Sequence, residues 1–150
     1  MYLHKPKYVL LSIVLFFICT SLLFINCNNT PHTYTVNIVN ATITVYAGQY
    51  NHYQVDVTST MDNPRLIGSF TASGGSGNDI KVYVMDNTNY VNWSNGHSST
   101  AYYSSGQTTT GSFNVSFTSS GTYYVVYDNS FSVVSDKQVT TNVNLKYEAQ

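Results

Sequence analysis

The feature that most constrains the fold is an alternation of apolar and polar residues, repeated in short segments from residue 36 onward. The segment 53–58 reads Tyr-Gln-Val-Asp-Val-Thr, and comparable segments follow one another as far as residue 147. In an extended strand this alternation places the apolar side chains on one face. Turn-forming residues separate most of the segments, as in Asp62-Asn63-Pro64 and in the glycine-rich stretch 73–78. The pattern therefore predicts about eight short strands.

An all-β chain of this kind is expected to form a sandwich, because a single sheet would leave its apolar face in water. The composition agrees with this expectation. Charged residues make up only 9% of the chain and aromatic residues 15%, and aromatic and β-branched side chains fit a pleated, half-buried surface. We expect one antiparallel β-sandwich, jelly-roll-like in outline, after an N-terminal hydrophobic helix.

One segment departs from the strand pattern. Residues 88–95 predict a short helical turn, in which Tyr90 and Trp93 lie three positions apart on one face and Gly96 ends the helix. The residues that follow are rich in Ser, Thr, Tyr and Gly and show no alternation. The sequence therefore predicts a long loop over 94–112, and such loops on a rigid scaffold commonly carry binding sites.

The N-terminal segment has the composition of a membrane-targeting sequence. His4, Lys5 and Lys7 precede an uncharged, mostly apolar run from Tyr8 to Ile25. Eighteen helical residues span about 27 Å, close to the roughly 30 Å hydrocarbon core of a bilayer. Because basic residues before such a run favour a cytoplasmic N-terminus, we expect residues 1–27 to be a signal anchor or signal peptide.

Cys27, directly after the apolar run, leaves three alternatives open for this segment. A cysteine here is where a prokaryotic lipoprotein is cleaved and lipidated, although Ile25 and Asn26 are larger than the residues that usually precede it. The alternatives are an uncleaved anchor, lipidation at Cys27, and cleavage with release. All three place the remaining chain outside the cytoplasm. Cys19 is the other cysteine of the chain, so we expect no disulfide in the exported part.

Two motifs give the chain a family resemblance. The segment 66–70 reads Leu-Ile-Gly-Ser-Phe and leads through the glycine-rich stretch into an alternating strand. The segment 121–132 reads Gly-Thr-Tyr-Tyr-Val-Val-Tyr-Asp-Asn-Ser-Phe-Ser, and Lys137 and Val139 follow it. These motifs resemble the middle and the end of a GOLD (Golgi dynamics) domain, a small β-sandwich of the secretory pathway. The resemblance covers residues 41–147 and implies a stand-alone, prokaryotic version anchored at its N-terminus.

The chain also departs from the eukaryotic cargo receptors of this family. Val126 stands where those receptors carry a cysteine, and the residues up to Gln150 show no coiled coil or anchor like theirs. The resemblance therefore implies the fold but not the cargo-receptor role. Within that fold, we expect Gly121 to make a tight turn and Asn129 to adopt a left-handed backbone.

Residue types that could carry catalysis are few. The exported part holds His32, His52 and His97, and its only glutamate is Glu148. Nothing pairs one of these histidines with a particular nucleophile, and a glycosidase needs two carboxylates flanking one bond. We therefore expect that the protein is not an enzyme.

Metal and nucleic-acid binding are not predicted either. Asp79, Asp86 and Asp128 could supply oxygen ligands for Ca²⁺ if a sheet end brought them together, but their spacing is not that of a calcium loop. Turns closed by Asp and Asn side chains account for them as well. Residues 28–150 hold four basic and seven acidic residues, a net charge of −3, which does not attract a polyanion. We predict no cofactor and no metal.

Aromatic pairs in and beside the predicted loop are the candidate binding residues: Tyr90 with Trp93, and Tyr102 with Tyr103. Such rings, with Asn and Ser around them, can stack on a sugar or contact an apolar patch of a partner. Two structural alternatives stay open. Trp93 could cover the end of the sandwich, and one residue of each adjacent tyrosine pair could face the core.

These observations predict a non-enzymatic, membrane-tethered domain outside the cytoplasm that binds a cell-envelope protein or a surface glycan. Lipid binding and a purely structural role in the envelope are the alternatives. The expected organisation is a signal anchor or signal peptide over 1–27, a polar spacer and possible first strand over 28–40, and a GOLD-like β-sandwich over 41–147.

Overall fold

Eight strands and one short helix make up residues 30–149, the part of the chain that the computed structural model describes. In chain order they are β1 His32–Val45, β2 Tyr50–Val57, β3 Asp62–Ser73, β4 Ile80–Asp86, α1 Asn87–Ser94, β5 Tyr103–Thr108, β6 Thr110–Ser116, β7 Gly121–Asp128 and β8 Lys137–Ala149. The expected N-terminal helix and Cys27 lie outside these residues. Within them, α1 is far too short to cross a bilayer, and no other helix occurs.

The strands form two antiparallel sheets that pack face to face. Sheet A has the order β1-β8-β3-β6, and sheet B has the order β2-β7-β4-β5. The all-β sandwich predicted from the alternation is therefore confirmed. We call the end that holds His32 and Ala149, which pair with each other, the lower end. The upper end holds the β1–β2 turn and the β7–β8 loop, which hydrogen bonds such as Gly48 N to Asn129 O join.

The inward faces of both sheets supply the core. Leu66, Val82, Val125 and Val143 are among its fully buried side chains. The two sheets also share a polar contact in this core, because the Tyr127 hydroxyl lies 2.6 Å from Oγ1 of Thr141. That threonine in turn donates a hydrogen bond to the Ser69 carbonyl, so the buried hydroxyls are satisfied.

Glycine and phenylalanine interlock between β3 and β6. Gly68 pairs with Phe113, and Phe70 pairs with Gly111. A methyl group on Gly68 would overlap the Phe113 ring, and one on Gly111 would lie 2.6 Å from Cζ of Phe70. Each ring therefore fills the space above a glycine of the neighbouring strand, which explains the glycine within the segment 66–70.

One expectation about the strands needs correction. β1 begins at His32, inside the segment 28–40 for which a spacer and a possible first strand are expected. The predicted loop over 94–112 contains β5 and the start of β6, so the irregular part shrinks to residues 95–102. β5 has the sequence Tyr-Ser-Ser-Gly-Gln-Thr, which contains no apolar repeat, and it is an edge strand that pairs with β4 alone.

The expectation for Asn129 is wrong. Among the described residues, the non-glycine positions with a left-handed backbone are Asn63 and Asn78. The Asn129 side chain is instead buried, and its amide nitrogen donates to the carbonyls of Val45 at 3.1 Å and Ser135 at 2.9 Å. Asn129 therefore fastens the β7–β8 loop to the end of β1.

Candidate functional site

The candidate site begins with the helix α1, whose start is fixed by a side chain of the preceding strand. Asp86 ends β4, and its carboxylate accepts hydrogen bonds from the backbone N–H of Asn89 at 2.8 Å and from its side-chain amide at 2.9 Å. Such caps stabilise a helix N-terminus by about 1 kcal/mol. The helix ends where Gly96 adopts a left-handed backbone (φ +74°), as the sequence predicted.

α1 lies against the outer face of sheet B. Val126 on β7 and Met85 on β4 point away from the core, yet they are only 0% and 2% exposed. Their neighbours Tyr123, Val125 and Val84 face the core, so β7 and β4 are apolar on both faces. The helix and its aromatic residues cover the outward side chains and form a second, smaller apolar layer.

Six rings surround these two covered side chains, and we call them the aromatic face. They are Tyr50, His52, Tyr83, Tyr90, Trp93 and Tyr124. Their ring centroids form a continuous series of contacts, which includes Tyr90 stacked on Tyr124 at 4.1 Å, Tyr50 edge-on to Trp93 at 4.8 Å and Tyr83 tilted against Trp93 at 5.9 Å. Aromatic pairs at such separations contribute about 0.5–1.5 kcal/mol each beyond the area they bury.

Polar contacts fix individual rings of the aromatic face. The Tyr90 hydroxyl lies 3.2 Å from Nδ1 of His52. Burial, with the neighbouring Tyr50 hydroxyl as a second cause, raises the pKa of Tyr90 to about 12. Burial and the Asp128 carboxylate also raise the pKa of Tyr83. Tyr90 and Tyr83 are therefore uncharged and partly shielded from water at neutral pH.

The rim of the aromatic face is rich in amides. Two of these amides, Asn92 and Asn95, lie close to Trp93 along the chain. A third belongs to Gln54 on β2, which pairs with Tyr124 on β7. Val91 is 45% exposed and adds an apolar group to the rim. The loop 95–102 is held beside the helix, because Asn89 Oδ1 accepts hydrogen bonds from the Thr100 backbone and hydroxyl.

The structure brings two of the four predicted binding residues together and separates the other two. Tyr90 and Trp93 both belong to the aromatic face. Tyr102 lies elsewhere, with its ring against Phe117 and Tyr123. Tyr103 points to the inside of the sandwich and packs on the core. The alternative in which Trp93 covers the end of the sandwich is wrong, because α1 lies on the outer face of sheet B.

Sequence reasoning missed the four other rings of the aromatic face: Tyr50, His52, Tyr83 and Tyr124. Strand pairing brings them to one surface from three strands. One signal was present. Residues 123–127 read Tyr-Tyr-Val-Val-Tyr, and an unbroken apolar run predicts a strand buried on both faces.

The three aspartates considered for calcium do not meet. Asp79 directly precedes β4 and Asp86 is its last residue, so the two lie at opposite ends of that strand. Asp128 accepts a hydrogen bond from the Ser130 backbone at 2.8 Å. Within residues 30–149, no three His, Cys, Asp or Glu side chains are grouped so as to hold a metal ion. Asp79 instead forms an ion pair with Lys137 at 2.8 Å and accepts a hydrogen bond from Gln107.

Two comparisons with known proteins gave no match. No protein-family model matches the chain, and no curated protein matches it at a significant level. The resemblance to GOLD domains therefore stays a prediction.

Proposed function

We propose that this protein is a non-enzymatic binding module, tethered to a membrane through residues 1–27 and carrying a GOLD-like β-sandwich outside the cytoplasm. The observation that carries the proposal is the aromatic face, where six rings and the amide-rich helix α1 form one surface. Tyr and Trp provide large contact areas at a low cost in conformational entropy. We assign the ligand contacts to this surface, with Trp93 as the main contact.

The rigidity of the aromatic face supports a role in binding. Asp86 fixes the start of α1, and the helix packs on β7 and β4, where Val126 and Met85 are buried. Rings that are already held in place lose little freedom when a ligand arrives, so less of the interaction energy is lost to ordering. The aromatic face is in this sense preorganised.

The ligand class follows from the low charge of the surface. A protein patch or a glycan of the cell envelope can use ring faces and amides, and neither requires a strong electrostatic attraction. The basic residues before the apolar run of the N-terminal segment support an exported location for the domain. The same reasoning disfavours a nucleic-acid partner.

Retention on envelope material tests this proposal. Labelled residues 28–150 are incubated with two separate fractions, surface polysaccharide and delipidated envelope protein. We expect retention on one of them, at least tenfold weaker for Trp93→Ala and unchanged for Thr140→Ala on sheet A. Circular dichroism confirms that both variants are folded. Equal retention of the two variants would contradict the assignment of the site to the aromatic face.

Lipid binding is a second candidate because one observation favours it. At the upper end, Val133 and Val134 are 90% and 87% exposed, and Tyr46 on the adjoining turn is 63% exposed. Apolar loop tips of this kind can enter a bilayer interface. Flotation of residues 28–150 with neutral phosphatidylcholine vesicles, lost in Val133→Ser/Val134→Ser, would favour this candidate over the first.

A further inference from the structure

The two edges of sheet A are strands with little protection against pairing. β1 has 14 residues and β6 has 7, and neither contains Asp, Glu, Lys, Arg or Pro. Edge strands usually carry charges, proline or bulges that prevent pairing with another chain. β1 has one bulge, between Asn37 and Val39, and β6 pairs with β3 in an unbroken register.

The edges of sheet B are better protected. β2 carries Asp56. β5 has only six residues, a register shift opposite Lys81 and Tyr83, and a left-handed glycine, Gly106 (φ +62°). Part of the β1 edge is also covered, since the Asn51 amide donates to the Thr44 carbonyl at 2.9 Å. The stretch of β1 that can accept another strand is therefore residues 32–43.

Strand directions decide how two copies can meet. Sheet A has the order β1-β8-β3-β6 with every pair antiparallel, so its two edge strands run in opposite directions. When two copies stand side by side in the same orientation, β6 of one is antiparallel to β1 of the next. The sheet can thus continue from copy to copy with its regular alternation.

The side chains at these edges also match. Thr42, Thr140, Thr71 and Thr110 form one row across the four strands of sheet A. Within the row, the Thr42 and Thr140 hydroxyls are hydrogen bonded at 2.9 Å. In a continued sheet, Thr110 of one copy would stand next to Thr42 of its neighbour and extend the row. Cross-strand threonine pairs of this kind stabilise sheets.

We propose that copies of this protein associate laterally by pairing β6 of one copy with β1 of the next, in the same orientation. The contact is heterologous, so it builds an open row of copies. Each copy has the start of β1 on the same side, as a shared membrane would require; this last point rests on the proposed function. The pairing itself uses the edges of sheet A and leaves the aromatic face free.

Cysteine crosslinking tests the pairing. Thr42→Cys and Thr110→Cys are introduced into the full chain, singly and together, and a short bifunctional maleimide is added to the fraction that contains the protein, whether membranes or medium. We expect covalent dimers, trimers and larger products from the double variant. The single variants should give no more product than the unsubstituted chain, which controls for Cys19 and Cys27.

Every other pattern overturns the proposal. Dimers from Thr42→Cys or Thr110→Cys alone would show a symmetric contact between identical edges, and absence of products from the double variant would show no contact. As a matched control, Thr42→Cys with Ser104→Cys on β5 should give no ladder. The outcome is independent of ligand retention, so this proposal and the proposed function can fail separately.

A pair of charged substitutions tests which residues of β6 and β1 face each other. In the double-cysteine chain, Asn40→Lys with Ser112→Lys should reduce the linked fraction several-fold, because like charges face each other across the new strand pair. Asn40→Lys with Ser112→Glu should restore it. Equal linked fractions for the two combinations would contradict the pairing.

Discussion

The outer face of sheet A is bare and polar, whereas the outer face of sheet B is aromatic and partly covered by α1. On sheet A, rows of Thr, Asn and Ser such as Asn40, Asn142, Ser69 and Ser112 meet water directly. On sheet B, the corresponding outward positions of β7 and β4 include Val126 and Met85, which are buried. One sandwich therefore combines a sheet with one apolar face and a sheet with two.

The difference shows how a short helix acquires its position. A sheet that is apolar on both faces needs a cover on each side, and α1 supplies it on sheet B. The helix has no charged residue and no strong apolar face of its own, so its two aromatic residues hold it in place. Substitutions should therefore be tolerated on the outer face of sheet A and costly on the outer face of sheet B.

Introducing a charge at matched outward positions should give the largest difference. We expect Val126→Asp to destabilise the domain by about 4 kcal/mol or more, because an isolated carboxylate would lie under the helix. Thr140→Asp on exposed sheet A should change stability by less than about 0.5 kcal/mol. Urea unfolding of both variants measures the difference. Equal losses would show that the two outer faces are not distinct.

Removing the Trp93 ring should have a smaller effect on the same side. Trp93→Ala is expected to cost about 2 kcal/mol, less than the roughly 3–5 kcal/mol for a fully buried Trp, since this ring is half-buried. Asn142→Ala on sheet A serves as the matched control, with little change expected. A loss below about 0.5 kcal/mol for Trp93→Ala would mean that α1 does not depend on this contact.

The inner face of sheet A should be as sensitive as its outer face is tolerant. In Gly68→Ala the added methyl would overlap the Phe113 ring, and overpacking of this kind costs about 1–3 kcal/mol. Ser69→Ala, one residue on and facing out, should be nearly neutral. Thermal unfolding of the two variants provides the measurement, and similar midpoints would contradict the interlock between β3 and β6.

The ion pair between Asp79 and Lys137, which joins the two sheets at the upper end, should make the stability of the domain depend on pH in the acidic range. Hydrogen bonds from Lys137, and then from Gln107, lower the pKa of Asp79 from 3.8. Its contribution is therefore complete above pH 3.8 and is lost as the pH falls through the lower folded-state pKa. Asp79→Asn should cost about 1–2 kcal/mol at pH 7. This is below the usual cost of breaking a buried pair, because Asp79 is 20% exposed although Lys137 is 4% exposed.

The same variant supplies the control for that prediction. As the pH falls below 3.8, the unfolding free energies of the natural chain and of Asp79→Asn should converge. Parallel curves over this range would show that the carboxylate does not stabilise the fold through its charge.

The smallest expected effect is on stability at alkaline pH, through two tyrosines, one in the core and one on the aromatic face. Burial raises the pKa of Tyr127 and of Tyr90 to about 12 in each case. Because both values are raised above 10, the stability they contribute is present below pH 10 and is lost as the pH rises toward 12. Absorbance titration should show one late-titrating hydroxyl fewer in Tyr90→Phe and in Tyr127→Phe. Titration of Tyr90 near pH 10 would mean that α1 shields this ring poorly.

Much of the fold could be predicted from local sequence. Alternation identified the inward residues of strands such as β3, β4 and β7, and the spacing of Tyr90 and Trp93 with Gly96 identified α1. Where alternation is absent, prediction failed. β5 has no apolar repeat, and its six residues are held by pairing with β4 and by the Ser105 hydroxyl, which accepts a hydrogen bond from Val82 N at 2.8 Å.

The candidate site could be predicted only in part, for a physical reason. Tyr90 and Trp93 share a helix, so their proximity follows from helical spacing. Tyr50, Tyr83 and Tyr124 join them through the order of strands in sheet B, which depends on long-range pairing and not on local pattern. The prediction for Asn129 failed for a related reason. Its role is set by carbonyls that lie more than 80 residues earlier and six residues later in the chain.

Fluorescence of Trp93 can report ligand binding at the aromatic face, because Trp93 is the only tryptophan of the chain. Residues 28–150 are titrated with the surface polysaccharide and with the envelope protein fraction, and the emission is recorded. We predict a saturable shift in the emission maximum and protection from acrylamide quenching with one of the two. Retention of the domain on either fraction with unchanged Trp93 emission and quenching would place the ligand elsewhere and contradict the assignment of the site to the aromatic face.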